Sequence, residues 1–408
     1  MSFQFIENSK IDTAARKRIR SHVMKGKNVG KMYERRTHRR EEEVPSSGES
    51  HEGGTPIRSF FRGSQGQETN DVSVPRTIGN SFSTFTFPVQ IQPYMRELLF
   101  DFISITADAV YPKEFCLPLD AKKSLLFEYL QTDEAFFHSS LAISQVCVDS
   151  FFDTQDSSPR VLQHMWNTYR CVSHDLQAKR TPSDPTIAAV LTMAICEDIS
   201  NQPQRYKMHV DAVFRMVELR NGIAQFATNT VLVQKICRVD IEYALYKGSS
   251  PYFYRDEFPR QILQSASAQA DHENNPSSMA YNTRISDPVL RCVVVDLMSI
   301  SCLFNDDRMR FRLEPDAYQE VLISVSYRLL HRYPLAGDRA DRNNDNACHI
   351  GLLALITTMI FKHGRHRQNP YDILTEKLRD AVKFTLDKES IDETGMASSS
   401  DEDVSSQT

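Results

Sequence analysis

Apolar residues recur along the middle of the chain at steps of three and four. Between 204 and 220 the stripe is Tyr206, Val210, Val213 and Val217. Between 230 and 247 it is Leu232, Ile236, Val239, Tyr243 and Tyr246, and between 315 and 332 it is Tyr318, Leu322, Val325 and Leu329. An α-helix completes a turn every 3.6 residues, so each set lies on one helix face. The period-two alternation of a strand is nearly absent. Punctuation agrees with the stripes. Asp184-Pro185 and Asp287-Pro288 each set a capping oxygen before a proline, whose missing N–H costs nothing in the first helical turn. Ser158-Pro159, Glu314-Pro315 and Asn369-Pro370 mark three further starts, and Asn221-Gly222, Gly248 and Gly364 mark stops. The pattern predicts an all-α domain of roughly ten to twelve helices over residues 91–390. It carries no fixed repeat period, which argues against a regular solenoid.

The flanks have no face to bury. Residues 1–43 form a basic arm. Residues 44–90 are rich in Ser, Gly, Thr, Pro and Asn and read as a flexible linker. Within the linker, Phe82-Ser83-Thr84-Phe85-Thr86-Phe87 alternates and is expected to dock on the body as an extended strand. Residues 391–408 are a polar, acidic tail without Lys or Arg, expected to be disordered.

Composition changes the picture by exclusion. Of 408 residues, 40% are hydrophobic, enough for a sizeable core. The longest uncharged apolar run, Ile350 to Phe361, is about 12 residues against the ~20 of a spanning helix, so no membrane partner is expected. The N-terminus has no apolar segment of the secretory type, and the block Glu41-Glu42-Glu43 argues against a mitochondrial presequence. The eight cysteines include no Cys-x-x-Cys pair, which excludes a zinc site built from such pairs. They are expected to be buried, reduced thiols of a cytosolic or nuclear protein.

Charge is distributed unevenly. Residues 1–40 hold 12 Lys/Arg and three acids, while the remaining 368 hold 36 basic and 50 acidic groups. A basic arm of net +9 therefore precedes a body of net −14. Asp12 can cap a helix through Met24 that places Arg16 and Arg20 on one side. The first cluster is Arg16, Lys17, Arg18 and Arg20, followed by Lys25, Lys27 and Lys31. The second is Arg35, Arg36, Arg39 and Arg40. Two basic clusters at this separation suit a bipartite nuclear import signal read by an import receptor. The same cations offer weak, non-specific phosphate contact with DNA. Base reading would need a positioned helix, and no residue of the arm points to one.

Candidate catalytic features are weak. Gly26-Lys27-Asn28-Val29-Gly30-Lys31 has the wrong spacing for a phosphate loop and lacks the hydroxyl residue after the lysine. Asn305-Asp306-Asp307 is similar to the magnesium-binding aspartates of terpene synthases, so Asp306 and Asp307 are the best candidates for a diphosphate-dependent metal site. Arg308, Arg310 and Arg312 follow at once, and no second metal cluster lies downstream, so a solvated turn is the simpler account. His363 and His366 sit among Lys362, Arg365 and Arg367, cations that complement a helix C-terminus without a metal. The expectation is a non-enzymatic protein with no cofactor and no metal.

One stretch resembles a known family. A helix runs from Thr186 to Glu197, then come Tyr206-Lys207-Met208-His209-Val210-Asp211-Ala212-Val213 and Met216-Val217-Glu218-Leu219-Arg220-Asn221-Gly222-Ile223. This resembles the signature of the fungal-specific transcription factor domain, with Ala212 and Asn221 where the family usually has glycine. Arg238-Val239-Asp240 and Phe137-His138-Ser139-Ser140 resemble its neighbouring helices. The motif residues are His209, Met216, Arg220, Gly222, Arg238 and Asp240, and the likeness covers about residues 90–390. The arm segment from Ile19 to Asn28 resembles a subgroup without a zinc cluster, sometimes labelled tachykinin-family. No cysteine precedes Cys116, so the family's usual six-cysteine DNA reader is missing. The resemblance implies a nuclear transcription regulator that acts with another factor or with itself. Relatives of this kind often control gene clusters for pigments and other secondary metabolites. A helical interaction scaffold and an all-α enzyme using Asp306 and Asp307 are the alternatives.

Overall fold

A computed structural model describes residues 85–119, 126–151, 158–178, 181–267, 285–305, 310–337, 344–360 and 371–399. The chain divides into two units, Met1–Val72 and Ser73–Thr408, and every described residue belongs to the second. Twelve α-helices are seen among the described residues: α1 Pro93–Val110, α2 Phe127–Thr132, α3 Glu134–Phe151, α4 Pro159–Ala178, α5 Asp184–Ile199, α6 Pro203–Leu219, α7 Thr230–Lys247, α8 Arg260–Ser267, α9 Pro288–Phe304, α10 Pro315–Arg332, α11 Asn344–Met359 and α12 Asp372–Ser399. A 3₁₀ turn, Ile223–Phe226, joins α6 to α7. The body is all-α. Strand-like pairing among the described residues is confined to a single bridge, Cys116 with Leu313.

The punctuation acts largely as the sequence predicts. Asp287 caps α9, its Oδ1 accepting the Val289 and Leu290 amides at 2.7 and 3.1 Å. At α5 the cap sits one residue earlier than expected. Ser183 Oγ accepts the Thr186 amide at 3.3 Å, which places Asp184 and Pro185 inside the first turn. Gly248 ends α7 with φ +70°, a left-handed conformation that glycine adopts without a Cβ penalty. The starts and stops at Asn369-Pro370 and Gly364 lie outside the described residues. Helical backbone in α12 runs to Ser399, past the composition boundary at 390.

Two groups of helices meet at α5 and α7. Helix α3 packs against α4 and α5, with α1 and α2 laid on it, while α5 carries α6 on another side. Helix α7 touches α5 and α6 and leans on α10, and α10 in turn meets α9 and α11. The 204–220 stripe is wholly buried, as its period predicts. The 230–247 stripe is buried from Leu232 to Val239, but Tyr246 is exposed and Leu245 buried in its place. Phe85 and Phe87 dock on the core, the first edge to face with Phe127 and the second tilted against Phe137. Docking on the body is as expected and is made by rings, with no strand pairing at Phe85 to Phe87, and Phe82 to Thr84 lie outside the described residues.

Helix α10 departs most from expectation. Its stripe is buried, and so is nearly every other residue from Tyr318 to Leu330. The polar side is held by partners instead of water. Glu320 takes a two-pronged contact from Arg255, with Nε and Nη2 at 2.9 Å, and the Gln234 amide at 2.9 Å. Gln319 donates to the Val110 carbonyl at 3.1 Å, and Arg328 donates to Asp296 at 2.7 Å. Partners of this kind offset the cost of burying polar groups. The cysteines also divide. Cys116, Cys196 and Cys237 are buried as expected, whereas Cys292 and Cys302 are exposed, and none forms a disulfide.

Candidate functional site

The family-like motif residues serve three different purposes. His209 is buried on α6, and its Nε2 lies 3.1 Å from the Tyr169 hydroxyl, the two rings stacked. Burial, and secondarily the Arg205 cation, pushes its pKa down, which favours the neutral ring. Met216 fills the core. Arg220 clamps the end of α6 to the start of α5, donating to the Pro182 carbonyl and to Asp184, both at 2.9 Å. Gly222 takes φ +95° in the turn that follows. Asp240 is buried on α7 and accepts the Tyr252 amide at 2.7 Å, the Phe253 amide at 2.8 Å and the Tyr327 hydroxyl at 2.9 Å. These five residues fill the core or hold helices and turns together. The sixth, Arg238, faces a cavity.

That cavity lies between α1, α2, α3, α5 and α7 and has a volume of about 120 Å³. Its wall is mostly hydrocarbon, with Phe102 and Ile103 of α1, Phe127 of α2, Ile143 of α3 and Leu191 of α5 among the lining residues. The small Ala188 keeps space open on the α5 side. One helix supplies all its charge. Lys235, Arg238 and Glu242 stand at i, i+3 and i+7 on α7, around Val239. This volume is close to the ~150 Å³ at which an apolar protein cavity accepts benzene.

Lys235 is the unusual member. It is half-buried and lines the cavity. Loss of hydration, and secondarily the Arg238 cation, pull its pKa down to about 8. Among the described residues no carboxylate pairs with it and no acceptor takes a hydrogen bond from it, whereas Arg238 and Glu242 each have another interaction. Periodicity could not single out this lysine, because a charge on a helix is ordinarily read as solvent-facing.

The arm residues Arg16 to Arg40, the aspartates Asp306 and Asp307, and His363 with His366 all lie outside the described residues. Among the described residues no three His, Cys, Asp or Glu side chains converge as metal ligands. No described helix is long and apolar enough to cross a membrane.

Two histidines that look unrelated in sequence meet in the body. His138 of α3 and His164 of α4 stack with their Nδ1 atoms 3.1 Å apart, and the Tyr94 hydroxyl lies 3.4 Å from His164 Nε2. Both rings are buried, which pushes both pKa values down, and His164 falls to about 4. Glu134 opposes this at His138. Arg170 adds to the depression there, and Arg160 adds to it at His164. A histidine with a depressed folded pKa withholds a proton that the unfolded chain takes up. Stability from His164 is therefore complete above the unfolded value of 6.5 and is lost as pH falls towards 4. His164→Gln should flatten this acid limb, removing about 2 kcal/mol of the change between pH 7 and pH 5 in urea titrations. An unchanged difference between those two pH values would show that the ring is protonated in the folded protein.

Comparison of the chain with models of protein families, with curated proteins and with solved structures finds no match.

Proposed function

We propose that this protein is a nuclear regulator of transcription whose basic arm directs import and whose helical body is a regulatory domain. The observation that carries the reading is the charge division: a +9 arm ahead of an acidic body of packed helices. The likeness of the 186–240 segment to the fungal-specific transcription factor domain supports it. So does the way Arg220, Gly222 and Asp240 hold helix junctions, which is the work of residues that define a domain.

Sequence-selective DNA binding is assigned to a partner. No cysteine stands among residues 1–115, so the arm carries no zinc cluster, and its lysines and arginines supply only phosphate attraction. The genes controlled are those of a secondary-metabolite cluster, pigment formation being the readout to score first.

A fluorescent fusion of the full chain is expected in the nucleus, and deletion of residues 1–40 is expected to spread it through the cell. Transcript profiles of a strain lacking the gene should show a contiguous set of biosynthetic genes changed several-fold. Unchanged transcripts would overturn the regulatory reading, and an unchanged distribution of the deletion fusion would overturn the role of the arm.

A further inference from the structure

A half-buried cation set against hydrocarbon without a counter-ion is costly, and proteins keep one where something else supplies the opposite charge. In the described residues nothing does so for Lys235. The lysine lines a cavity whose remaining wall, apart from Arg238 and Glu242, is uncharged. We propose that this cavity is the binding site for a small apolar monocarboxylate, its hydrocarbon part held among Phe102, Phe127 and Leu191 and its carboxylate paired with Lys235.

Size, charge and shape each narrow the ligand. A volume of about 120 Å³ suits a body of benzoate or hexanoate size and is well below the ~300 Å³ at which drug-sized sites begin. The wall carries two cations and one anion, a surplus of one positive charge, which a monocarboxylate neutralises. A phosphate dianion would leave an uncompensated negative charge against hydrocarbon. A neutral ligand would leave Lys235 as it stands. A single charged end facing an apolar remainder matches a carboxylic acid with one short aliphatic or aromatic group. The inference concerns the purified protein and does not depend on where the protein acts in the cell.

The pairing predicts a defined pH response. Lys235, Arg238 and Glu242 of α7 are the charged groups that line the cavity, and the lining residues of α1, α2, α3 and α5 are apolar or hydroxyl-bearing. Lys235 loses its charge across the window from pH 7 to pH 10, and the pairing is lost with it.

The test is calorimetric titration of the full chain with benzoate, hexanoate and the neutral benzyl alcohol. At pH 7 at least one carboxylate should bind ten-fold or more tightly than benzyl alcohol, and that advantage should vanish by pH 10. Lys235→Met should lose at least ten-fold in carboxylate affinity while still accepting benzyl alcohol, with its helical circular dichroism unchanged. Equal or better binding of benzyl alcohol by the unaltered protein overturns the proposal. So does carboxylate affinity that ignores pH, or the absence of binding by all three probes. The pH arm uses the unaltered chain and therefore decides the matter even if the variant fails to fold.

Discussion

Lys235→Met should make the protein more stable by about 3 kcal/mol at pH 7, an unusual direction for a change inside a core. The figure follows from the pKa of about 8 that enclosure imposes on an ammonium whose unperturbed value is 10.5, at ~1.4 kcal/mol per pKa unit. Methionine matches the length of the lysine stem and leaves no charge to desolvate. The sign with pH is fixed by linkage. Between about 8 and 10.5 the unfolded chain holds a proton that the folded chain has released, so the unaltered protein gains stability as pH rises through that interval. The advantage of the variant should accordingly shrink towards zero by pH 10.5. Urea unfolding at pH 7 and pH 10 measures both. A destabilised variant, or an advantage independent of pH, would mean that an anion of the chain itself already pairs with the lysine. A residue kept at such a cost points to use, and a bound carboxylate would recover much of the lost stability by mass action.

Asp240→Ala should act in the opposite direction and with an opposite pH slope. It removes the acceptor for the Tyr252 and Phe253 amides and the Tyr327 hydroxyl, leaving three donors unpaired at roughly 1–3 kcal/mol each. Part of this is offset, because burial has pushed the carboxyl up to about 7 against the pull of the Phe253 amide and the Tyr327 hydroxyl, and its ionisation opposes folding. A carboxyl with a raised folded pKa contributes its full stability below the unfolded value of 3.8. It loses that contribution as pH climbs to 7. The expected net cost of the substitution is about 4 kcal/mol at pH 5, falling to about 2 kcal/mol at pH 8. Chemical denaturation at the two pH values checks it. A cost that grows with pH would show that the hydrogen bonds outweigh burial and that Asp240 is ionised throughout. The turn at 251–253 should loosen in the variant, which amide exchange at Tyr252 and Phe253 would report.

How far these residues could be anticipated differs between the two. Asp240 sits inside a segment whose likeness to a family drew attention to it, but its partners come from the turn after α7 and from α10, 87 positions away in the case of Tyr327. Lys235 carried no signal. On a helical wheel it falls beside Arg238 and Glu242, where a charged strip ordinarily faces water. The same holds for the polar positions of α10. Gln319, Glu320, Ser324 and Arg328 have the residue types of a solvated side, and they are buried because Val110, Arg255, Gln234, Asp256 and Asp296 arrive to meet them.

The sequence by itself determined the helices, their main faces and most of their ends. Those depend on spacing within four residues and on caps one to three residues away, as at Asp287 and Gly248. It also determined the division of charge between arm and body, which needs only counting. Tertiary structure alone decided which polar residues are inside, that His138 meets His164, and that α7 turns a lysine towards a hydrocarbon-lined space. The physical reason is range. Local periodicity is set by bonds along one helix, whereas burial of a polar group depends on whether a partner arrives from elsewhere in the chain, and no local pattern encodes that arrival.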